Sequence, residues 1–440
     1  MSQISASAQS PPMQRSAHSP ARSIIQTNGR SARFLEAALK DGRGSQEWVS
    51  GGGIAMKLGH SLWFSNEFDL RAEKEAWSDP LEVTDAAVYR NDLRLALLTE
   101  ELGFDSLWMP EHHFSPYCMT TNQLQLLSYV AAKTERIELG TMVSVLPWHD
   151  PIRLAESFAV LDLLVEGERR IHFGVGRGFA KREYDGFRVD KADATGRFRE
   201  CLDVVRLALS RERFSYEGEH FNIPETGLRP RPITTDLTKS IYGSWTSDEV
   251  MELSAHEGLG QLHAPAFDIM KSAASAAAFN QIRGTHGWDP IQPGVVVFVH
   301  CAEGDEEVEL GQEWARQSFE TALWHYDFFN QPPLKEMLAA KSADERAEFK
   351  QGMVESFLAC GAFGTPAHCL AHLEDLKEKF DASLFLCVFR FGRMPFEAAE
   401  KSMRLFASDV APAVRDLPSE EPWATPYEDV LAAHAEAAAS

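Results

Sequence analysis

The sequence lacks any paired arrangement of cysteines. Its six cysteines are scattered, with no Cys-x-x-Cys pair and no zinc-site spacing, at Cys118, Cys201, Cys301, Cys360, Cys369 and Cys387. This pattern excludes a small disulfide-stapled scaffold and a zinc ribbon. We therefore predict a protein of the reducing cytoplasm, with no metal ion.

Long apolar runs and an excess of positive charge are absent as well. No apolar stretch approaches the ~20 residues that span a bilayer, and the N-terminus lacks the apolar core of a secretory signal. With 65 acidic against 43 basic residues, the net charge is −22, which disfavours nucleic acid and anionic membranes as partners. The 440 residues, 44% of them hydrophobic, suffice for one barrel-sized domain or two smaller ones.

From Leu58 onward, short apolar runs alternate with amphipathic stretches, which indicates repeated βα units in a parallel sheet. We predict strands at Leu58–Phe64, Ser106–Met109, Ile137–Met142, Arg170–Val175, Ser240–Gly243, Gly260–His263, Gly294–Cys301 and Ser383–Phe389. This number of strands with interleaved helices predicts a (β/α)8 TIM barrel. Two insertions, 212–238 after strand 4 and 321–363 after strand 7, are long enough to act as lids.

The composition divides the chain into three parts. Residues 1–55 are rich in Ser, Ala, Gln, Pro and Gly, so we predict a disordered N-terminal extension. Residues 56–416 are predicted to form the barrel. Residues 417–440 are a C-terminal tail, acidic and then Ala-rich, which we expect to pack weakly.

Three titratable residues follow the second predicted strand. Pro110 ends that strand, and Glu111, His112 and His113 come directly after it. Barrel enzymes place catalytic groups at the C-terminal ends of their strands, so these are candidate acid and base groups. Any one of them could instead hydrogen-bond the barrel rim. A metal site is the weaker interpretation, because adjacent histidines cannot both face one ion without other ligands.

A glycine-rich segment follows the fourth strand and contains Gly176, Arg177 and Gly178. Glycines there permit close backbone approach to a ligand, and an arginine suits a phosphate. Phe179 stands where the last glycine of G-x-G-x-x-G would be, so the Rossmann interpretation fails. A plain surface turn is the alternative.

The fifth strand leads into a helix start made of Ser244, Trp245, Thr246 and Ser247. Free N–H groups at such a start can bind an anion, although helix capping by Ser247 alone explains much of the pattern. Arg177 after strand four would be its neighbour on the barrel rim. Trp148 and Trp245 could form a flat apolar surface against which a planar ligand ring packs, or could serve only as packing residues.

Together these motifs resemble the luciferase-like flavin monooxygenases and, within that family, the alpha subunit of bacterial luciferase. The similarity covers about Met56 to Asp416. Its most specific parts are Glu111-His112-His113-Phe114, Gly140-Thr141, Val145-Leu146-Pro147, Pro151 to Glu156, Phe173 to Gly178, Gly364-Thr365-Pro366 and Ser402 to Phe406. At Gly176 luciferase carries a cysteine near the flavin, so the resemblance does not by itself imply light emission.

The resemblance implies a barrel that binds reduced FMN, reacts it with O2 and uses the flavin C4a-peroxide to oxygenate a small organic substrate. A separate NAD(P)H:flavin reductase would supply the reduced flavin, and the chain would form a homodimer.

The same resemblance implies a role for each site residue. His112 would be the catalytic imidazole, with Glu111 supporting it. The cofactor would contact Met142 and Val143, where the family carries a cis non-prolyl peptide, and its phosphate would meet Arg177 and the 244–247 turn. Phe64, Trp148 and Trp324 would line a dry substrate pocket.

Two other functions fit the same sequence. One is an F420-dependent oxidoreductase of the same superfamily. The other is a non-catalytic partner subunit like the beta chain of luciferase, although such a subunit needs neither His112 nor the phosphate clamp of Arg177.

Overall fold

Parallel strands that are buried on both faces form the wall of the molecule. The computed structural model describes residues 54–69, 80–332, 334–420 and 424–439. Eight strands form the barrel: β1 Lys57–Ser61, β2 Ser106–Met109, β3 Glu138–Val145, β4 Ile171–Gly176, β5 Ile241–Ser244, β6 Gly260–His263, β7 Gly294–Cys301 and β8 Leu384–Val388. Each bonds to the next in parallel, and β8 bonds to β1, so the sheet closes on itself.

Helices surround the barrel. They are α1 Asp85–Glu101, α2 Gln123–Ala131, α3 Pro151–Leu164, α4 Lys181–Phe187, α5 Ala194–Ser210, α6 Asp248–His256, α7 Ile269–Thr285, α8 Asp305–His325, α9 Leu334–Ala339, α10 Ala343–Ala359, α11 Pro366–Phe380, α12 Phe396–Asp409, α13 Ala411–Arg415 and α14 Tyr427–Ala439. Within the described ranges, no helix combines the length and apolar character needed to cross a bilayer. The predicted (β/α)8 barrel is confirmed.

The strand limits agree with the prediction to within a few residues. β2, β6 and β7 match at both ends. β1 ends at Ser61 rather than Phe64, since Phe64 has a φ of 34°, which no extended strand adopts. β3 runs on to Val145, with its register against β4 shifted between Thr141 and Ser144.

Both insertions occur where they were predicted. The first contains an antiparallel hairpin, Phe214–Glu217 with Asn222–Thr226, which the sequence analysis missed. Glu200 of α5 anchors it by accepting backbone N–H bonds from three successive residues, 219 to 221. The second insertion contains α9, α10 and a short strand, Ala362–Gly364, that pairs with the end of β7 and was also missed.

The structure corrects two predictions about the segments that flank the barrel. The predicted disorder of residues 1–55 falls almost wholly outside the described residues, but Ile54–Ala55 pairs with Pro418–Ser419 as a small antiparallel ladder. Weak packing of the tail is wrong: Tyr427 and Val430 of α14 are buried, and Arg283 donates a hydrogen bond to Thr425.

Candidate functional site

The site lies at the mouth of the barrel, beyond the C-terminal ends of the strands. β2 ends at Met109, and the next residues place Glu111, His112 and His113 at that rim, as predicted. Successive side chains point in opposite directions. His113 Nε2 lies 3.2 Å from Glu111 Oε1, whereas the His112 imidazole points towards Glu183.

Glu111 is a buried carboxylate that holds neighbouring loops together. Its Oε2 accepts bonds from the Val145 amide at 2.7 Å and from His149 Nε2 at 2.9 Å. Burial by itself would raise the pKa of Glu111, but the positive charge of His149 and the bonds from His113, His149 and Val145 hold it well below its usual range. Glu111 therefore stays ionised and is a structural anchor.

His112 lies between a carboxylate and a phenol. Its Nδ1 is 3.1 Å from Glu183 Oε1, and its Nε2 is 3.3 Å from the Tyr326 hydroxyl. The rings of Tyr117 and Tyr326 meet it edge-on, with centroids 5.1 and 5.8 Å away. The predicted support of His112 by Glu111 is wrong, because the carboxylate that bonds this imidazole is Glu183.

Glu183 of α4 connects the elements of the site. It also accepts the His113 backbone N–H at 2.8 Å, and His325 Nε2 lies 3.4 Å away. Burial raises the pKa of Glu183, yet the charges and hydrogen bonds of His112 and His325 outweigh it and lower the pKa to about 2. Burial lowers the pKa of His325 to about 4, so this imidazole is neutral near pH 7.

The ends of β3 and β4 approach each other through glycines. The Met142–Val143 peptide is cis, as the resemblance implied. A Cβ at Gly176 would lie 2.6 Å from Val143 Cγ2, so a larger residue at this position would require Val143 to shift. Gly178 has a φ of +79°, and a Cβ there would lie 2.7 Å from Val145 Cγ1.

Arg177 does reach the start of α6. Its Nη1 bonds Thr195 Oγ1 at 3.0 Å and Glu249 Oε2 at 3.2 Å. The Ser247 hydroxyl at the N-cap of α6 is buried and has no hydrogen-bond partner among the described residues. Ser244 is the last residue of β5 and Thr246 lies between Trp245 and that N-cap, so the predicted clamp residues share one corner of the rim.

The tryptophans that were predicted to line the pocket pack mainly against other side chains. Trp245 stacks on Phe279 of α7 at 4.6 Å and is a packing residue. Trp148 stacks on Phe187 at 5.4 Å, meets the ring of His113 edge-on, and lies against Gly178, where a Cβ would be 3.0 Å from the Trp148 ring.

Phe64 and Trp324 do not contact His112 either. Phe64 is buried against Tyr89, and Trp324 lies beneath the Arg182 guanidinium at 4.0 Å. The aromatic rings that face His112 belong instead to Tyr117 and Tyr326.

Among the described residues, two groups bring potential metal ligands within 4.8 Å of one another. One is His112, Glu183 and His325 in the site. The other is His256, Glu257 and His434, far from the mouth.

Comparison with known proteins now decides the family. A family model described as luciferase-like monooxygenase matches residues 56–382. The chain belongs to this family. An uncharacterised protein from Sinorhizobium fredii is 34% identical over 248 residues, 54% of this chain and 67% of its own length. The alkanal monooxygenase alpha chain of the Kryptophanaron alfredi symbiont is 22% identical over 77% of this chain and 96% of its own.

Several solved structures share the fold of this chain. Long-chain alkane monooxygenase has a TM-score of 0.66 at 15% identity, covering 87% of this chain and 96% of its own. The oxygenating constituent of 3,6-diketocamphane monooxygenase from Pseudomonas putida, in complex with FMN, has a TM-score of 0.61 at 17% identity, covering 83% and 100%. An F420-dependent secondary alcohol dehydrogenase has a TM-score of 0.59 at 16% identity, covering 82% of this chain and 100% of its own.

Glu183→Gln tests the depressed pKa of this carboxylate. Its ionised form is stabilised only in the folded protein, so that stability is complete above pH 4.5 and is lost as the pH falls towards 2. We expect the variant to be less stable at pH 7 by roughly 3 kcal/mol, and the difference from the unmodified protein to shrink below pH 4.5. Urea unfolding at pH 7, 5, 4 and 3 measures this, with exposed Glu348→Gln as the control. A difference independent of pH would contradict it.

Proposed function

We propose that the chain is an FMN-dependent monooxygenase that uses reduced flavin and O2 to oxygenate a small organic substrate. A separate NAD(P)H:flavin reductase would supply the reduced flavin. The observation that carries the proposal is His112, held at the barrel mouth between ionised Glu183 and the Tyr326 hydroxyl.

The residues present suit a flavin phosphate. Arg177 offers a guanidinium at the start of α6, and the buried Ser247 hydroxyl lacks a partner that a phosphate oxygen would supply. Glu249, which now bonds Arg177, has a side chain 64% exposed and is free to turn to solvent. The ring would lie against the Met142–Val143 peptide.

Once bound, reduced flavin supplies the electrons that activate O2. The protein controls protons around it. In the tautomer whose Nδ1–H donates to Glu183, His112 carries a lone pair on Nε2. That lone pair accepts from the Tyr326 hydroxyl, so Nε2 is the atom placed to take up or return a proton.

Aromatic side chains keep this imidazole away from bulk water. The rings of Tyr117 and Tyr326 contact it directly, and Phe179 packs on Tyr326 with centroids 5.6 Å apart. A reactive oxygenating species survives where water is excluded, so these three residues define the dry side of the pocket in this proposal.

The F420 alternative has support from the F420-dependent alcohol dehydrogenase that shares the fold. A non-catalytic role like that of the luciferase beta chain has less support, because a purely structural subunit needs neither the His112 contacts nor the Arg177 guanidinium at the start of α6. Cytoplasmic location stays a prediction.

Anaerobic titration decides between the cofactors. We expect purified protein to bind FMNH2 more tightly than reduced F420, and Arg177→Ala to weaken FMNH2 binding about 10- to 100-fold through loss of charged hydrogen bonds. Exposed Arg404→Ala, on α12, should bind as the unmodified protein does. Tighter binding of F420 would reject the FMN proposal.

His112→Ala tests the proton-handling role. We expect product formed per reduced FMN to fall about 100-fold or more, the usual contribution of a positioned acid or base, while FMNH2 affinity changes little. Oxygenation would be assayed on aldehydes, alkanes, terpenoid ketones and sulfur compounds, with His368→Ala as the control. Unchanged oxygenation in both His112→Ala and Arg177→Ala would favour the non-catalytic role.

We also propose a homodimer through the outer face of α2 and α3. Tyr129, Val160 and Leu164 leave a large apolar surface there, 46%, 40% and 54% exposed. Leu164→Glu together with Val160→Glu should yield monomers in sedimentation experiments, whereas Leu310→Glu, equally exposed on α8, should not. A monomeric unmodified protein would refute the dimer.

A further inference from the structure

A second cluster of imidazoles and a carboxylate lies on the face of the barrel opposite the mouth. His256 is the last residue of α6, Glu257 follows it, and the chain then enters the N-terminal end of β6. His434 comes from α14, the C-terminal helix. The flavin chemistry proposed above uses none of these residues.

The three side chains meet at one carboxylate oxygen. Glu257 Oε1 is 3.0 Å from His256 Nδ1 and 3.9 Å from His434 Nε2. The two imidazoles stack at 4.4 Å between centroids. The other oxygen, Oε2, accepts a bond from Arg206 Nη1 at 3.0 Å, so only Oε1 remains to face the histidines.

The cluster leaves a buried polar atom unsatisfied. His434 Nε2 is buried and has no hydrogen-bond partner among the described residues, a state that is unfavourable unless a ligand supplies the missing contact. Glu257 is more than nine-tenths buried, with 8% of its side chain exposed. Burial raises its pKa, but the bond from His256 and the charge of Arg206 outweigh this, so the carboxylate is ionised.

We propose that His256, Glu257 and His434 bind one divalent transition-metal ion of the zinc type, which fastens the C-terminal helix to the barrel. Two imidazoles and a carboxylate are a usual ligand set for such ions. The C-terminal end of α6 favours positive charge at this place. Water completes the coordination, since both histidines are partly open to solvent.

Coordination requires the three ligand atoms, which lie within 4.8 Å of one another, to move closer together. Ligands about 2.0–2.1 Å from a tetrahedral ion lie roughly 3.3 Å from one another. His434 must therefore approach Glu257 by about half an ångström from its present 3.9 Å and rotate out of the stack. In the mouth cluster, His325 Nε2 likewise has no hydrogen-bond partner among the described residues, but Glu183 Oε1 already accepts bonds from His112 and the His113 amide.

Zinc binding by the full chain tests the proposal. Protein stripped with a chelator would be titrated with Zn²⁺ against a chromophoric competitor, and with Co²⁺ by its visible absorption. We expect tight binding near one equivalent, weakened at least 10-fold in His434→Ala and in His256→Ala, and unchanged in exposed His368→Ala. Zn²⁺ should raise the melting temperature of the unmodified protein and not that of His434→Ala.

Two further variants keep the result unambiguous. His434→Gln retains side-chain size and reports on ligation if the alanine variant fails to fold. His325→Ala removes a ligand from the mouth cluster and should leave zinc affinity unchanged. Zinc affinity that survives in His434→Gln and His256→Ala, or that is lost only in His325→Ala, would overturn the proposal. Because flavin is absent from this assay, its outcome is independent of the proposed oxygenase activity.

Discussion

The arrangement of the mouth depends on one buried charge, the carboxylate of Glu183. It bonds an imidazole and a backbone amide of the loop after β2, and it lies beside His325 at the end of α8. An ionised group in such a place is stable only when several donors surround it. Three elements distant in sequence therefore adopt one relative position, and the orientation of His112 follows from it.

Glu111 has the matching structural role on the other side of the same loop. It connects the loop after β2 to Val145 and His149 after β3, beside the cis Met142–Val143 peptide. Two ionised carboxylates thus hold successive histidines on opposite sides. The site is preorganised by charges that do not themselves exchange protons near neutral pH.

The sequence predicts the barrel well because parallel strands buried on both faces appear as uninterrupted apolar runs. Both ends of Ser106–Met109 are predicted correctly for this reason, and the position of Glu111 and His112 at the rim follows from the end of that strand. Ala362–Gly364 is missed because three residues carry no periodicity. Phe214–Glu217 is missed because much of its hairpin is exposed.

The rest of the site depends on distances that a sequence does not contain. Glu183 stands in a run of charged residues at the start of α4, typical of a solvated helix, and only folding shows that it is buried. Trp245 follows a strand as a ligand-binding residue would, yet α7 supplies Phe279 to stack on it. His325 follows Trp324 in the second insertion, and only folding shows that its imidazole lies beside Glu183.

The small ladder between Ile54–Ala55 and Pro418–Ser419 also determines how the molecule can be handled. The chain enters and leaves the barrel side by side, on the face opposite the mouth. A fluorescent protein, an affinity tag or a solid support joined directly before Ile54 would therefore start on the face away from His112. Immobilised in this way, the barrel would keep its open end towards the solution.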